Sequence, residues 1–226
     1  MPAPDQNMEA AAGMEPAPKA PEAKPEWWAS TAVLGLMGFG TTTMIAGLTN
    51  LPLPYSQGFL ANWVVYGMAL AFGGLAQLIA GVIALRKGNM FAGTAFTGYG
   101  AFWIAYTLML AQFNTLITSA TGPGLPAAYY GVAGFAFMWM MFTFSFLISA
   151  PKHGWGLTGV FGFLFLAFLL LTVKFWSLAG GSSTFDASAS ANWAVGGIII
   201  LTGFLAWYVA TAILTEANYG RKILPY

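Results

Sequence analysis

Residues 63–85 read WVVYGMALAFGGLAQLIAGVIAL, a stretch that contains no charged side chain. The hydrocarbon core of a bilayer is about 30 Å thick, so a helix needs about 20 apolar residues to cross it. This stretch is long enough, and its glycines allow neighbouring helices to approach closely in a membrane. It therefore predicts a transmembrane helix.

Five further stretches of the same character follow or precede it, separated by segments that contain Gly, Pro, Asn or Ser, which are typical of turns. The sequence therefore predicts an all-α integral membrane protein with six transmembrane helices. The predicted spans are Thr31–Leu51, Trp63–Leu85, Phe91–Ile117, Ala128–Ala150, Gly154–Leu178 and Trp193–Leu214.

The composition excludes a soluble enzyme. Hydrophobic residues make up 58% of the 226 residues and charged residues only 7%, against about 25% charged residues in a typical soluble domain. The chain has no cysteine and one histidine, which excludes disulfides, thiolate nucleophiles and Cys/His metal cages. We therefore expect no catalytic residues, no metal and no cofactor. The formal net charge of +1 lacks the basic excess that nucleic-acid binding requires.

The ends of the chain are predicted to lie in the cytoplasm. Residues 1–26 are rich in Pro, Ala and Glu, a composition that cannot offset its ordering entropy by burial. They are predicted to form a disordered cytoplasmic tail, and residues 27–226 the transmembrane domain. With the N-terminus inside, seven of the eight Lys and Arg residues lie inside and only Lys174 lies outside. Basic residues are retained on the cytoplasmic side, so this orientation in the cell membrane is expected.

Charged residues are rare between the first and last spans. They are Arg86, Lys87, Lys152, Lys174 and Asp186. Only Lys174 is predicted at membrane depth, where it either extends to the outer interface beside Trp176 or attracts anions. His153 lies in a predicted cytoplasmic turn, as a loop residue or as a pH gate.

Uncharged polar residues occupy the predicted spans and their turns. Such a lining suits the conduction of a small solute better than catalysis, and the absence of carboxylates along the spans favours an anionic or neutral solute over a cation. Gln77 has an alternative role as an interhelical packing residue. The candidate lining residues are Thr41, Thr42, Thr43, Gln77, Asn89, Thr94, Thr97, Tyr99 and Tyr106.

A short pattern of glycine, aromatic residue and glycine recurs in the odd-numbered spans. It reads GFG at 38–40 and GYG at 98–100, with the degenerate VFG at 160–162. The pattern indicates either three related hairpins, as in transporters built from internal repeats, or small-residue packing without any duplication.

Four motifs carry a resemblance to a known family. They are LGLMGFGTTT at 34–43, FGGLAQ at 72–77, GNMFAGTAFTGYGAFW at 88–103 and NYGRKILP at 218–225. In these motifs the chain resembles the acetate uptake transporter family, the acetate/succinate permeases, over residues 28–225. The resemblance implies six transmembrane helices around a path within each subunit, a ring of six subunits, and acetate or related short carboxylates as solutes.

The resemblance also implies roles for individual residues. Phe39, Tyr99 and Leu164 match the positions that narrow the path at its middle. Thr42, Thr43, Gln77 and Asn89 match polar positions along the path. We expect the narrowing to select solutes by size, and the Thr and Tyr99 hydroxyls and the two amides to donate hydrogen bonds to a carboxylate, which is an anion at neutral pH.

Two departures from the family pattern bear on mechanism. The family signature Asn-Pro-Ala-Pro-Leu-Gly-Leu is replaced by STAVLGL at 30–36, and a glutamate common at the end of the second helix is replaced by Ala84. Proton coupling through a protein carboxylate is therefore not expected here. The sequence leaves open an anion channel or a proton-linked permease for acetate, with succinate acceptance undecided. Its alternatives are a channel for small amides or undissociated acid and a non-transporting membrane scaffold or sensor.

Overall fold

A computed structural model describes residues 30–53, 59–119, 124–181 and 190–226. Within these ranges the chain is helical and contains no strand, as the sequence predicts. Residues 31–226 belong to one compact unit. The predicted tail, residues 1–26, and the turn that contains Asp186 lie outside the described residues.

Six helices make up the described ranges, and each coincides with a predicted span to within a few residues. Helix α2 has three consecutive parts, of which the middle one is π-helical, and a short 3₁₀ turn, Ala150–His153, precedes α5. The helices are α1 (Ala32–Leu48), α2 (Phe59–Met68, Ala69–Ala76 and Gln77–Arg86), α3 (Met90–Ser119), α4 (Gly124–Ser149), α5 (Trp155–Ala179) and α6 (Ser190–Tyr219).

Length and hydropathy identify a membrane protein. Four segments of the described residues are long and apolar enough to cross a bilayer, and Ala32–Leu48 is a shorter apolar helix. Large hydrophobic side chains are exposed around the bundle, such as Trp63 and Ile148, as expected of surfaces that face lipid. The four segments are Trp63–Arg86, Gly124–His153, Trp155–Ala179 and Ser190–Tyr219.

Glycines bring α1 and α6 into backbone contact. A Cβ added at Gly203 would lie 2.5 Å from the carbonyl oxygen of Gly40, and one at Gly40 would lie 2.7 Å from the carbonyl oxygen of Gly203. Gly47 and Gly196 repeat this arrangement nearer the C-terminal end of α1, with 3.0 Å in both directions. The hydrophobic effect does not drive helices together within lipid, so van der Waals packing at small residues stabilises such crossings instead.

The π-helical part of α2 packs against the middle of α1. A Cβ at Gly73 would lie 2.8 Å from Thr42 Oγ1, and the Thr42 hydroxyl donates to the Met68 carbonyl at 3.4 Å. Gln77 begins the α-helix that follows, and its side chain is only 1% exposed. Short π-helical segments often occur at functional sites. The surroundings of Gln77 are therefore a candidate functional site.

The contact between α1 and α6 predicts the effect of a single methyl group. Gly203→Ala places its Cβ against the Gly40 backbone, which cannot move aside, so we expect a destabilisation of about 1–3 kcal/mol. Gly197→Ala on the same helix is the matched control, since no described atom outside its own helical turns lies within 4 Å of its added Cβ. Thermal unfolding in detergent measures the difference. Equal melting temperatures for the two variants would contradict the packing described here.

Candidate functional site

Two cavities lie inside the helical bundle. One, the Asn89 cavity, has a volume of about 140 Å³ and reaches the turns that carry Asn89 and His153. The other, the Asn50 cavity, has a volume of about 100 Å³ and extends to Asn50, just beyond the end of α1. Since α1 runs from Ala32, which lines the Asn89 cavity, towards Asn50, the two cavities lie towards opposite ends of the bundle.

Most of the lining is aromatic or aliphatic. The Asn89 cavity is lined by Ala32, Leu36, Phe39, Gln77, Asn89, Phe91, Ala92, Ala95, Phe96, Tyr99, His153, Leu157, Val160, Phe161, Leu164 and Ile213. The Asn50 cavity is lined by Phe39, Thr43, Ala46, Asn50, Phe102, Trp103, Tyr106, Met109, Leu110, Phe113, Val132, Phe135, Ala136, Leu164, Ala167, Phe168, Leu171, Phe175 and Ile199.

Phe39 and Leu164 are the two residues that these linings share. Phe39 comes from α1 and Leu164 from α5, and their side chains are 4% and 5% exposed. Tyr99 of α3 lines the Asn89 cavity, and its ring centroid lies 5.4 Å from that of Phe39. The structure thus brings Phe39, Leu164 and Tyr99 close to the boundary between the two cavities. These are the three residues for which the family resemblance implies a narrowing.

The hydroxyl of Tyr99 is engaged by α4. It lies 2.9 Å from Thr143 Oγ1, and the Thr143 hydroxyl donates to the Trp139 carbonyl at 2.7 Å. A hydroxyl has one proton to donate. The Thr143 hydroxyl donates its hydrogen bond to the Trp139 carbonyl and therefore accepts one from the Tyr99 hydroxyl. Tyr99 therefore presents its ring to the cavity, and its proton is not offered to a solute as the sequence led us to expect.

The threonines of α1 also donate to backbone carbonyls. Thr43 lines the Asn50 cavity and donates to the Phe39 carbonyl at 2.6 Å. Thr42 lines neither cavity and donates to Met68, while Thr41 donates to Met37 at 2.8 Å. Their protons are directed at backbone carbonyls in this structure, and donation by these hydroxyls to a carboxylate stays a prediction.

Two amides line the Asn89 cavity. Gln77 is 1% exposed, and its Oε1 has no hydrogen-bond partner. Asn89 Oδ1 accepts the Ala92 N–H at 3.0 Å and so caps the first turn of α3, a role in which Asn is favoured. Asn89 thus has a structural function in addition to its place in the lining, and Gln77 carries a buried oxygen without a hydrogen-bond partner.

Several lining residues are absent from the sequence-based candidate set. His153 lines the Asn89 cavity and stacks on Phe91, with centroids 3.9 Å apart. Phe102 and Trp103 line the Asn50 cavity. They follow Tyr99 by three and four residues, a helical spacing that places them on its face of α3 and that the sequence could have revealed. Of the remaining polar candidates, Tyr106 lines the Asn50 cavity.

Glu216, the acidic side chain among the described residues, belongs to neither lining. Glu216, near the end of α6, accepts a hydrogen bond from the Tyr226 hydroxyl at 2.7 Å. That bond raises the pKa of Tyr226 above its ordinary value. No described carboxylate lines either cavity, so the path through them carries no negative charge from the part of the chain that the structure describes.

Residues 12–221 match the sequence model of the GPR1/FUN34/yaaH family. The chain belongs to this family. The succinate-acetate/proton symporter SatP of Escherichia coli (strain K12) is 32% identical over 197 residues, which are 87% of this chain and 94% of SatP. Acetate permease A of Emericella nidulans is 31% identical over 201 residues, which are 88% of this chain and 65% of the permease. A solved structure of the bacterial acetate channel SatP matches with a TM-score of 0.72 at 30% identity and covers 88% of this chain and 98% of that one.

The bond between Tyr99 and Thr143 predicts a measurable coupling in this member of the GPR1/FUN34/yaaH family. Tyr99→Phe and Thr143→Val each remove the bond, and Thr143→Val leaves the buried Tyr99 hydroxyl unpaired at a cost of about 1–3 kcal/mol. Adding Tyr99→Phe to Thr143→Val should recover part of that loss. A double-mutant cycle on the free energy of unfolding measures it, with Thr107→Val as the control because Thr107 donates only to its own helix. Strictly additive effects would argue against the bond.

Proposed function

We propose that this protein carries acetate and related short monocarboxylates across the cell membrane. The path runs within each subunit from the Asn89 cavity, past Phe39, Tyr99 and Leu164, to the Asn50 cavity. The observation that carries the proposal is that Phe39 and Leu164 line both cavities, which lie towards opposite ends of the bundle. Membership of the family and the acetate transport named for its relatives support the choice of solute.

The chemistry of the path suits a small carboxylate. The rings and methyl groups of the narrowing are compatible with the methyl group of acetate and exclude wider solutes. Amide groups in the Asn89 cavity can bind its polar end. No described carboxylate lies along the path to repel an anion. The protein is thus a transporter and not an enzyme. Thr42 lines neither cavity and packs behind the path.

The proposal includes an arrangement in the membrane. All six helices cross the bilayer, with both termini in the cytoplasm, and the Asn89 cavity then opens towards the cytoplasm. Seven of the eight basic residues support this orientation. By resemblance to its family, the protein assembles as a ring of six subunits, each with its own path. Residues 1–26 form a cytoplasmic tail outside this transport domain.

A specific observation favours a second solute form. Gln77 is a lining residue of the Asn89 cavity, and its Oε1 is a buried acceptor without a partner. A solute that reached this atom and donated a hydrogen bond to it would stabilise it. Undissociated acid and small amides are donors, whereas the acetate anion is not. Transport would then be electroneutral, as in a proton-linked permease or a neutral-solute channel.

Acetate-evoked current across a planar bilayer tests the proposal and separates the two forms. With an acetate gradient and equal pH on both sides, an anion channel gives a current that reverses near the acetate equilibrium potential. Radiolabelled acetate flux without current indicates electroneutral movement of acid. If both flux and current are absent, the proposal is refuted, and a membrane protein that does not transport is favoured.

The narrowing predicts how solute selectivity changes with side-chain size. Phe39→Ala and Leu164→Ala should widen the path where the cavities meet, so fluxes of longer monocarboxylates relative to acetate should rise by about tenfold, the scale that one or two methylene groups set in an apolar site. Leu169→Ala, on the same helix at a side chain that is 37% exposed, is the control. Unchanged selectivity in both Phe39→Ala and Leu164→Ala would refute the narrowing.

A further inference from the structure

Lys174 lies at the rim of the Asn50 cavity. Its Nζ donates to Asn50 Oδ1 at 3.2 Å and lies 5.8 Å from the ring centroid of Phe175. Asn50 and Phe175 both line that cavity. The ammonium group therefore stands beside the mouth of the cavity, at the end opposite to Asn89 and His153.

Asn50 fixes the position of this ammonium. Its Nδ2 donates to the Ala46 carbonyl at 2.9 Å, which turns Oδ1 towards Lys174. A lysine that only extended to the lipid interface would need no partner among the cavity residues. The bond to Asn50 instead holds the charge beside the lining of the Asn50 cavity.

No described carboxylate neutralises Lys174. The chain has seven acidic residues, of which the described ranges contain Glu216, bonded to Tyr226 near the end of α6. Asp186 lies outside the described residues. Among the described residues, Lys174 is the charged group at this end of the cavity, and a cleft with one sign of charge and low-dielectric walls concentrates ions of the opposite sign.

We propose that Lys174, held by Asn50, recruits carboxylate anions at the mouth of the Asn50 cavity. This inference rests on the proposed function and adds a binding site outside the narrowing. The site acts on the concentration of the anion at the mouth and not on its passage between Phe39 and Leu164. Its loss should raise the KM for acetate and leave the maximal rate nearly unchanged.

Uptake of radiolabelled acetate into vesicles reconstituted with the full chain tests this inference. Lys174→Gln should raise the KM by about tenfold at low ionic strength, and Lys174→Arg should retain the wild-type KM. Raising the ionic strength from about 0.01 M to about 1 M shortens the screening length from about 30 Å to about 3 Å. The wild-type KM should then rise towards that of Lys174→Gln, whose own KM should change little.

A second variant keeps the lysine in place. Asn50→Asp places a carboxylate beside Lys174, which neutralises its charge, and should raise the KM as Lys174→Gln does. Because two variants test the same charge, a folding defect in one of them does not decide the result. Lys152→Gln, an exposed lysine in the 3₁₀ turn near the other end of the bundle, is the charge-matched control.

Two results would count against the inference in different ways. If Lys174→Gln and Asn50→Asp both take up acetate with the KM of the wild-type protein, the recruiting site is overturned and the proposed function is not. Wild-type vesicles that take up no acetate overturn the proposed function and this inference with it.

Discussion

The architecture depends on the contact of α1 with its neighbours at the level of the backbone. Within lipid, apolar side chains gain little from leaving their surroundings, so helices associate where small residues allow close packing. Gly40 meets Gly203 of α6, and Gly38 meets the Phe72 carbonyl of α2, where an added Cβ would lie 2.6 Å from the oxygen. Phe39 lies between these two contacts. Its ring therefore occupies a position that backbone geometry determines, and the division of the interior into two cavities follows from it.

The helices could be predicted from sequence because a bilayer requires every backbone polar group to be satisfied within the segment. Long apolar runs broken by Gly and Pro then have one structural solution. The narrowing was implied by the family resemblance and stays a prediction. The aromatic lining of the Asn89 cavity was partly predictable, since the recurring GFG, GYG and VFG patterns contain Phe39, Tyr99 and Phe161, which all line it. The π-helical part of α2 was not, because Ala69–Ala76 is uniformly apolar and offers no periodicity that distinguishes it from an α-helix.

The direction of each hydrogen bond was also beyond the sequence. A threonine in a transmembrane helix can donate to its own backbone or to a solute, and only packing decides between them. Thr43 and Thr143 both donate to the carbonyl four residues earlier, and Tyr99 then donates to Thr143. The same holds for Lys174, for which the sequence offered two roles. Its orientation depends on Asn50, which is distant in sequence and adjacent only after α1 and α5 have both packed against α6.

The backbone-directed hydroxyl of Thr43 has a consequence for the energy of a solute along the path. The Thr43 hydroxyl is bonded to the Phe39 carbonyl, and the side chains shared by the two linings, Phe39 and Leu164, are apolar. On the proposed path, a carboxylate at this level would therefore give up hydration water and receive few donors in return. Stripping an ion of water in a low-dielectric site costs several kcal/mol. On the proposed path, the energy profile would then have a well in each cavity and one short dehydration barrier between them, and the transit time would depend on the thickness of a single layer of side chains.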